Sequence, residues 1–390
     1  MANGEDFTRV KEVLEHLREG KPIGRDKFGL IKGIAPQAMQ EFSRRVIADT
    51  IAGPQAKTFA TWLVAHYGGG KTQALQELKG ILSENRYGRF KVFAPVIDLN
   101  YEASRSARGL HLALFENASS LAPTPPAANV FDAEDELLNM GREFLEDAIG
   151  EVPGGGLALK WVVGFGKRQL YWWTDALRRS VERKYKFSDP GAVELMTRWM
   201  RYALFPDSET ARQEFVRYQQ ELAEKGTLFL TLTHILKEAD YASMVILIDQ
   251  AEKLVNQPTL TDALMTMYAP GGSAGLNLFF VFAGTGDITG LEDLGIHGGF
   301  YRRFRDPLQS SVISVDLAQP VINQGEGNDI DRIKNVLEQL KRTYIGLPIP
   351  DLSSRRTDEI RERLIQLELK LKEEKKKLSW PMVWREMLRE

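Results

Sequence analysis

Residues 58–72 read TFATWLVAHYGGGKT. The first seven are rich in β-branched and aromatic side chains and predict a buried strand. The glycines Gly68, Gly69 and Gly70 end it, and helical spacing follows over 72–83. Strand, glycine-rich turn and helix in immediate succession fit a phosphate-binding loop, with Ala65 standing where the first glycine of that pattern usually lies. The residue types match the chemistry. Glycines let successive backbone N–H groups point inward at an anion, and the helix that starts beyond them adds the positive end of its dipole. Lys71 sets an ammonium beside the outer phosphates of a triphosphate, and Thr72 offers a hydroxyl to Mg²⁺. Ala65, His66, Tyr67, Gly68, Gly69, Gly70, Lys71, Thr72 and Gln73 are therefore the expected nucleotide-binding set.

Working outward, four further strands are expected at 90–99, 244–248, 276–283 and 312–317. The runs MVILI and LNLFFVFA are short, apolar and without alternation, as in a parallel sheet covered by helices on both faces. Helical spacing marks 7–17, 36–51, 329–344 and 355–377, and helices also fill the long interval between the second and third strands. Aromatics are dense in that interval, at Trp161, Tyr171, Trp172, Trp173, Trp199 and Tyr202. Their place among Leu and Val at helical spacing predicts a packed helical core more than a base-stacking surface. The expected fold is α/β, a three-layer core with a parallel sheet, a large helical insertion and a helical C-terminal lid. The expected division is 1–103 and 227–318 for the two halves of the core, 104–226 for the insertion and 319–390 for the lid.

A phosphate-binding loop requires an acidic partner at the tip of a neighbouring strand. MVILI runs into Asp249, which is the expected metal carboxylate opposite Thr72. Gln250 follows it, and an amide can orient water but cannot take its proton. Two readings stand for Glu252: a substitute for the missing carboxylate, or a solvent-facing residue of the next helix. Thr285, just past the strand ending at Ala283, is the expected γ-phosphate sensor, with Asp287 as the alternative. Arg302, Arg303 and Arg305 place three guanidinium groups within four residues. Arg302 and Arg303 either reach a neighbouring subunit's nucleotide or pair with Asp306 and Asp293 on their own surface.

Composition narrows the classes. The 390 residues are 43% hydrophobic and 27% charged, the balance of a folded globular chain. With 51 Lys and Arg against 53 Asp and Glu, bulk charge does not drive nucleic-acid binding. A local cluster, Arg168, Arg178, Arg179, Arg183, Lys184 and Lys186, keeps DNA open as a partner beside the simpler reading of a solvated helical face. There is no cysteine, which removes disulfides and thiolate chemistry, and the five histidines lack metal-ligand spacing. No apolar run is long enough to span a bilayer, so a cytoplasmic protein without membrane contact is expected.

The series of phosphate loop, Asp-tipped strand, Thr-tipped strand and arginine cluster resembles the AAA+ P-loop ATPases. More narrowly it resembles the branch of replication-initiator, STAND-type and BREX-like phage-defence ATP-binding proteins. LFLTLTHILKEADYASMVILIDQAEKL (228–254) is similar to that branch's helix, turn and acid-tipped strand. LSWPMVWREML (378–388) resembles its lid helix, with Arg385 at the place of the second sensor arginine. The resemblance implies an ATP–Mg²⁺ switch or motor. It would work as a homo-oligomer or with other subunits of a DNA-acting complex, in phage defence or a mobile element. Gln250 departs from the branch's catalytic Glu, and the interval between Thr72 and Asp249 exceeds that of compact members. The alternative is a nucleotide-stabilised scaffold that binds partner proteins through the insertion and hydrolyses little.

Overall fold

A computed structural model describes residues 4–19, 31, 58–64, 71–84, 91–100, 106–116, 133–150, 170–187, 189–254, 257–268, 274–284, 312–316, 320, 322, 328–376 and 378–389. The helix expected at 36–51 lies outside them. Its centre is a parallel sheet built from β1 (Thr58–Val64), β2 (Lys91–Phe93), β3 (Val96–Asp98), β4 (Tyr241–Asp249), β5 (Asn277–Gly284) and β6 (Val312–Asp316). The spatial order is β2-β4-β5-β1-β6, with β3 also pairing β4. β1 runs in register with β5 from Thr58↔Leu278 to Val64↔Gly284 and lies parallel to β6 on its other side. β4 joins β5 over Ser243↔Asn277 to Ile248↔Phe282.

The continuous apolar runs arise because both faces of each strand are covered. Val245 and Leu247 of β4, Phe279, Val281 and Ala283 of β5 and Leu63 of β1 pack against Ala74, Leu75, Leu78 and Leu82 of helix α2 (Lys71–Glu84). Their intervening neighbours, Met244, Ile246, Ile248, Leu278, Phe280, Phe282 and Trp62, enter the core on the opposite face. There Trp62 stacks on its register partner Phe282 at 4.6 Å between ring centroids. The single strand expected over 90–99 is two. Pro95 has no N–H to continue the ladder, yet its carbonyl still accepts from Leu247 N–H at 2.9 Å, so β2 and β3 both stay on β4.

Between β3 and β4 run α3 (Ala107–Glu116), α4 (Ala133–Gly150), α5 (Leu170–Lys184), α6 (Pro190–Leu204), α7 (Glu209–Glu224) and α8 (Leu228–Glu238). Trp199 of α6 is fully buried, with Phe115 and Phe144 edge-on to it and Phe215 tilted against it. Its indole N–H donates to Leu137 O at 2.7 Å. Tyr202 is buried as well and stacks on Phe215. These rings share one hydrophobic cluster with the sheet face, so the insertion's core is continuous with that of the sheet. After β4 a 3₁₀ turn (Ala251–Leu254) precedes α9 (Pro258–Tyr268).

A second cluster joins α1 (Gly4–Arg18) to α10 (Asp329–Thr343), α11 (Ser354–Glu373) and α12 (Trp380–Leu388). Val10, Val13, Leu14 and Leu17 supply the buried stripe of α1. Arg18 ties α1 to the C-terminal helices, Nε donating to Leu388 O at 3.2 Å and Nη2 to Pro348 O at 2.8 Å. α11 stops at Glu373 although its helical charge pattern continues to Lys377. Lys375 takes φ +55° and Lys376 N–H returns to Leu371 O at 2.7 Å, the hydrogen bond of a left-handed helix stop. Among the described residues no helix is long and apolar enough to cross a membrane.

Candidate functional site

The start of α2 lies at the carboxyl end of β4, where Thr72 meets Asp249, and this is the edge at which open parallel sheets bind ligands. β4 ends in Asp249, which is 1% exposed. Thr72, in the first turn of α2, donates its hydroxyl hydrogen to Asp249 Oδ2 at 2.7 Å across 177 residues of sequence. Gln250 N–H donates to the other oxygen, Oδ1, at 2.9 Å. Gln250 itself has φ +59°, a left-handed conformation that is costly for a side chain with a Cβ. That conformation turns the chain off the sheet, and Lys253 N–H closes the next turn on Gln250 O at 2.9 Å.

The turn carries Glu252 over the end of β5. A methyl group built on Gly284 would stand 3.5 Å from Glu252 Oε2. Lys71 is 7% exposed, and burial pushes its ammonium below the usual lysine range. The carboxylates of Glu252 and, to a smaller extent, Asp249 act in the opposite direction. One buried cation, one hydroxyl and two carboxylates therefore face each other at the amino end of a 14-residue helix.

No protein-family model matches the chain, and no curated protein matches it either.

Lys71, Thr72, Asp249 and Glu252 are brought together. Gln73 follows them in the first turn of α2. Arg385 lies on the exposed side of α12, a helix packed against α1, α10 and α11. Ala65, His66, Tyr67, Gly68, Gly69, Gly70, Thr285, Asp287, Arg302, Arg303 and Arg305 lie outside the described residues, as do Trp161 and Arg168. In the basic cluster, Arg178 pairs with Glu182 at 3.5 Å, while Arg179, Arg183 and Lys186 are exposed.

Asp98 is the residue that pattern reading passes over. It ends β3 in register with Asp249 and is 4% exposed. The signal was present: PVID repeats, at the previous strand, the apolar-run-then-Asp pattern of MVILID. Two residues earlier in each strand, Val96 and Leu247 pack on the α2 face. The alternation of side chains therefore puts Asp98 on the same face as Asp249.

Chemically, a helix amino end with a buried ammonium can receive a multiply charged anion. Thr72 and Asp249 add two hard oxygen ligands at hydrogen-bond separation. That donor set suits Mg²⁺, which keeps several waters and binds through one or two carboxylates together with substrate phosphates.

Proposed function

We propose that the chain binds ATP with Mg²⁺ at the carboxyl edge of β1, β5 and β4 and hydrolyses it, as a P-loop ATPase of the AAA+ kind. The observation that carries the reading is the Thr72–Asp249 hydrogen bond, which joins the two residues expected to share a magnesium ion. The sheet order supports it, since β5 lies between the loop strand β1 and the acid-tipped strand β4. In this account the amides of residues 66–72 and the Lys71 ammonium hold the phosphates. Thr72 and Asp249 hold the metal, which when bound neutralises charge on the phosphate oxygens.

Glu252 takes the part that Gln250 cannot. A water oxygen bonds to the γ-phosphorus, the bridging bond between the β and γ phosphates breaks, and the water proton passes to the Glu252 carboxylate. ADP and phosphate leave. Thr285 reports the γ-phosphate, and Arg302 and Arg303 reach a neighbouring subunit's nucleotide, so that nucleotide state sets assembly. The resemblance to replication-initiator and phage-defence ATPases extends the reading to a switch in a multi-subunit DNA-acting complex. A second reading, a weakly hydrolysing scaffold, is favoured by Gln250 alone.

Phosphate release, measured alongside binding of a fluorescent ATP analogue, separates these. Glu252→Gln is expected to keep nucleotide affinity and lose turnover by about 10²-fold or more, the lower range of a general base's contribution. Wild-type protein that binds ATP without turnover supports the scaffold, and wild-type protein that does not bind ATP refutes both.

A further inference from the structure

We infer that Asp98 is a second carboxylate of the metal site. It rests on the nucleotide reading above: Asp98 holds the water shell of the ion that Thr72 and Asp249 bind. Three observations carry it. Asp98 and Asp249 are register partners at the tips of adjacent parallel strands, about 4.8 Å apart in the direction of the ladder. Both are almost fully buried. Both belong to the face on which α2 packs, and α2 delivers Thr72 to Asp249.

Each water bound to a divalent ion at Asp249 can donate to Asp98 while its oxygen stays on the metal. Mg²⁺ retains most of its waters in nucleotide sites, and they need acceptors. β3 stands one strand further from β1 than β4 does. Asp98 is therefore placed behind Asp249, where it meets the hydration shell before it meets the phosphates. It acts as a positioning residue.

Asp98 also shapes its turn, since Oδ1 accepts from Asn100 N–H at 2.8 Å. The test must separate that role from the charge. Asp98→Asn retains a carbonyl oxygen for Asn100 and removes only the charge. Binding of a fluorescent ATP analogue is titrated with Mg²⁺ for wild type and Asp98→Asn, and repeated in chelator without metal. The expected result is a 10-fold or larger rise in the Mg²⁺ concentration at half-saturation, as loss of an outer-shell partner gives elsewhere, with metal-free affinity unchanged. An unchanged Mg²⁺ requirement overturns the proposal, as does an equal loss with and without metal. If Asp98→Asn does not fold, Asp98→Ser keeps an acceptor for Asn100 and is read in the same way. Wild-type protein that binds no nucleotide under either condition overturns the nucleotide reading itself.

Discussion

Replacement of Lys71 by methionine is expected to leave the nucleotide-free chain at least as stable as wild type while removing its affinity for ATP. Methionine has nearly the length and volume of the lysine stem, and volume-conserving exchanges in a packed site usually cost less than about 1.5 kcal/mol. The charge works the other way. Burial outweighs the attraction of Glu252 and Asp249 at this ammonium, so its charged form is less favourable in the fold than in water. The native state accordingly binds fewer protons than the unfolded chain between the lowered pKa and the ordinary lysine value of 10.5. Wild-type stability rises with pH across that window, and Lys71→Met lacks the rise. For binding, an ammonium bridging two phosphates makes two charge-assisted hydrogen bonds of about 1.5–3 kcal/mol each. Losing both amounts to a 10²- to 10⁴-fold weaker affinity, at about 1.4 kcal/mol per decade. Urea denaturation of the apo protein and titration with a fluorescent ATP analogue read the two quantities. A variant several kcal/mol less stable than wild type, or one binding ATP within about 3-fold of it, would refute the reasoning.

Three further outcomes follow from single residues. Gln250→Gly should raise apo stability by up to about 1 kcal/mol in denaturant titration, because glycine takes φ +59° without strain and the backbone bond to Asp249 survives; Gln250→Val should lower it. Trp199→Ala should cost about 3–5 kcal/mol in one cooperative transition that includes the sheet, since the insertion and sheet share a core; a separate early transition for the insertion would contradict that continuity. His111 is buried near Phe229, and burial lowers its pKa from 6.5. The fold therefore loses stability as pH falls through 6.5 towards the lowered value, and His111→Leu should flatten that part of the melting-temperature profile.

Much of the sheet was legible because strands covered on both faces cannot hide their composition. TFATWLV, MVILI and LNLFFVFA each fall on a strand, and β1 closes at Val64 and β4 at Asp249. The rest depends on contacts that no local pattern encodes. Pro95 splits a strand yet keeps both halves on β4 through its carbonyl. The direction of Glu252 is set by the left-handed Gln250, and glutamine at that position gives no warning of positive φ. The pairing of Asp98 with Asp249 is a matter of register between strands far apart in sequence. Likewise α1 reads as an amphipathic helix in isolation, but only packing assigns its apolar stripe to the C-terminal helices. Sequence reading singled out Lys71, Thr72 and Asp249, which the fold brings together, and passed over Asp98 beside Asp249.

Isothermal titration calorimetry of the full chain with ATP in excess Mg²⁺ tests the central claim most directly. A saturable heat with one nucleotide per chain, abolished in Lys71→Met and much reduced when Mg²⁺ is withheld, is the predicted result. No heat with ATP, or an isotherm that the Lys71 substitution leaves unaltered, would contradict it.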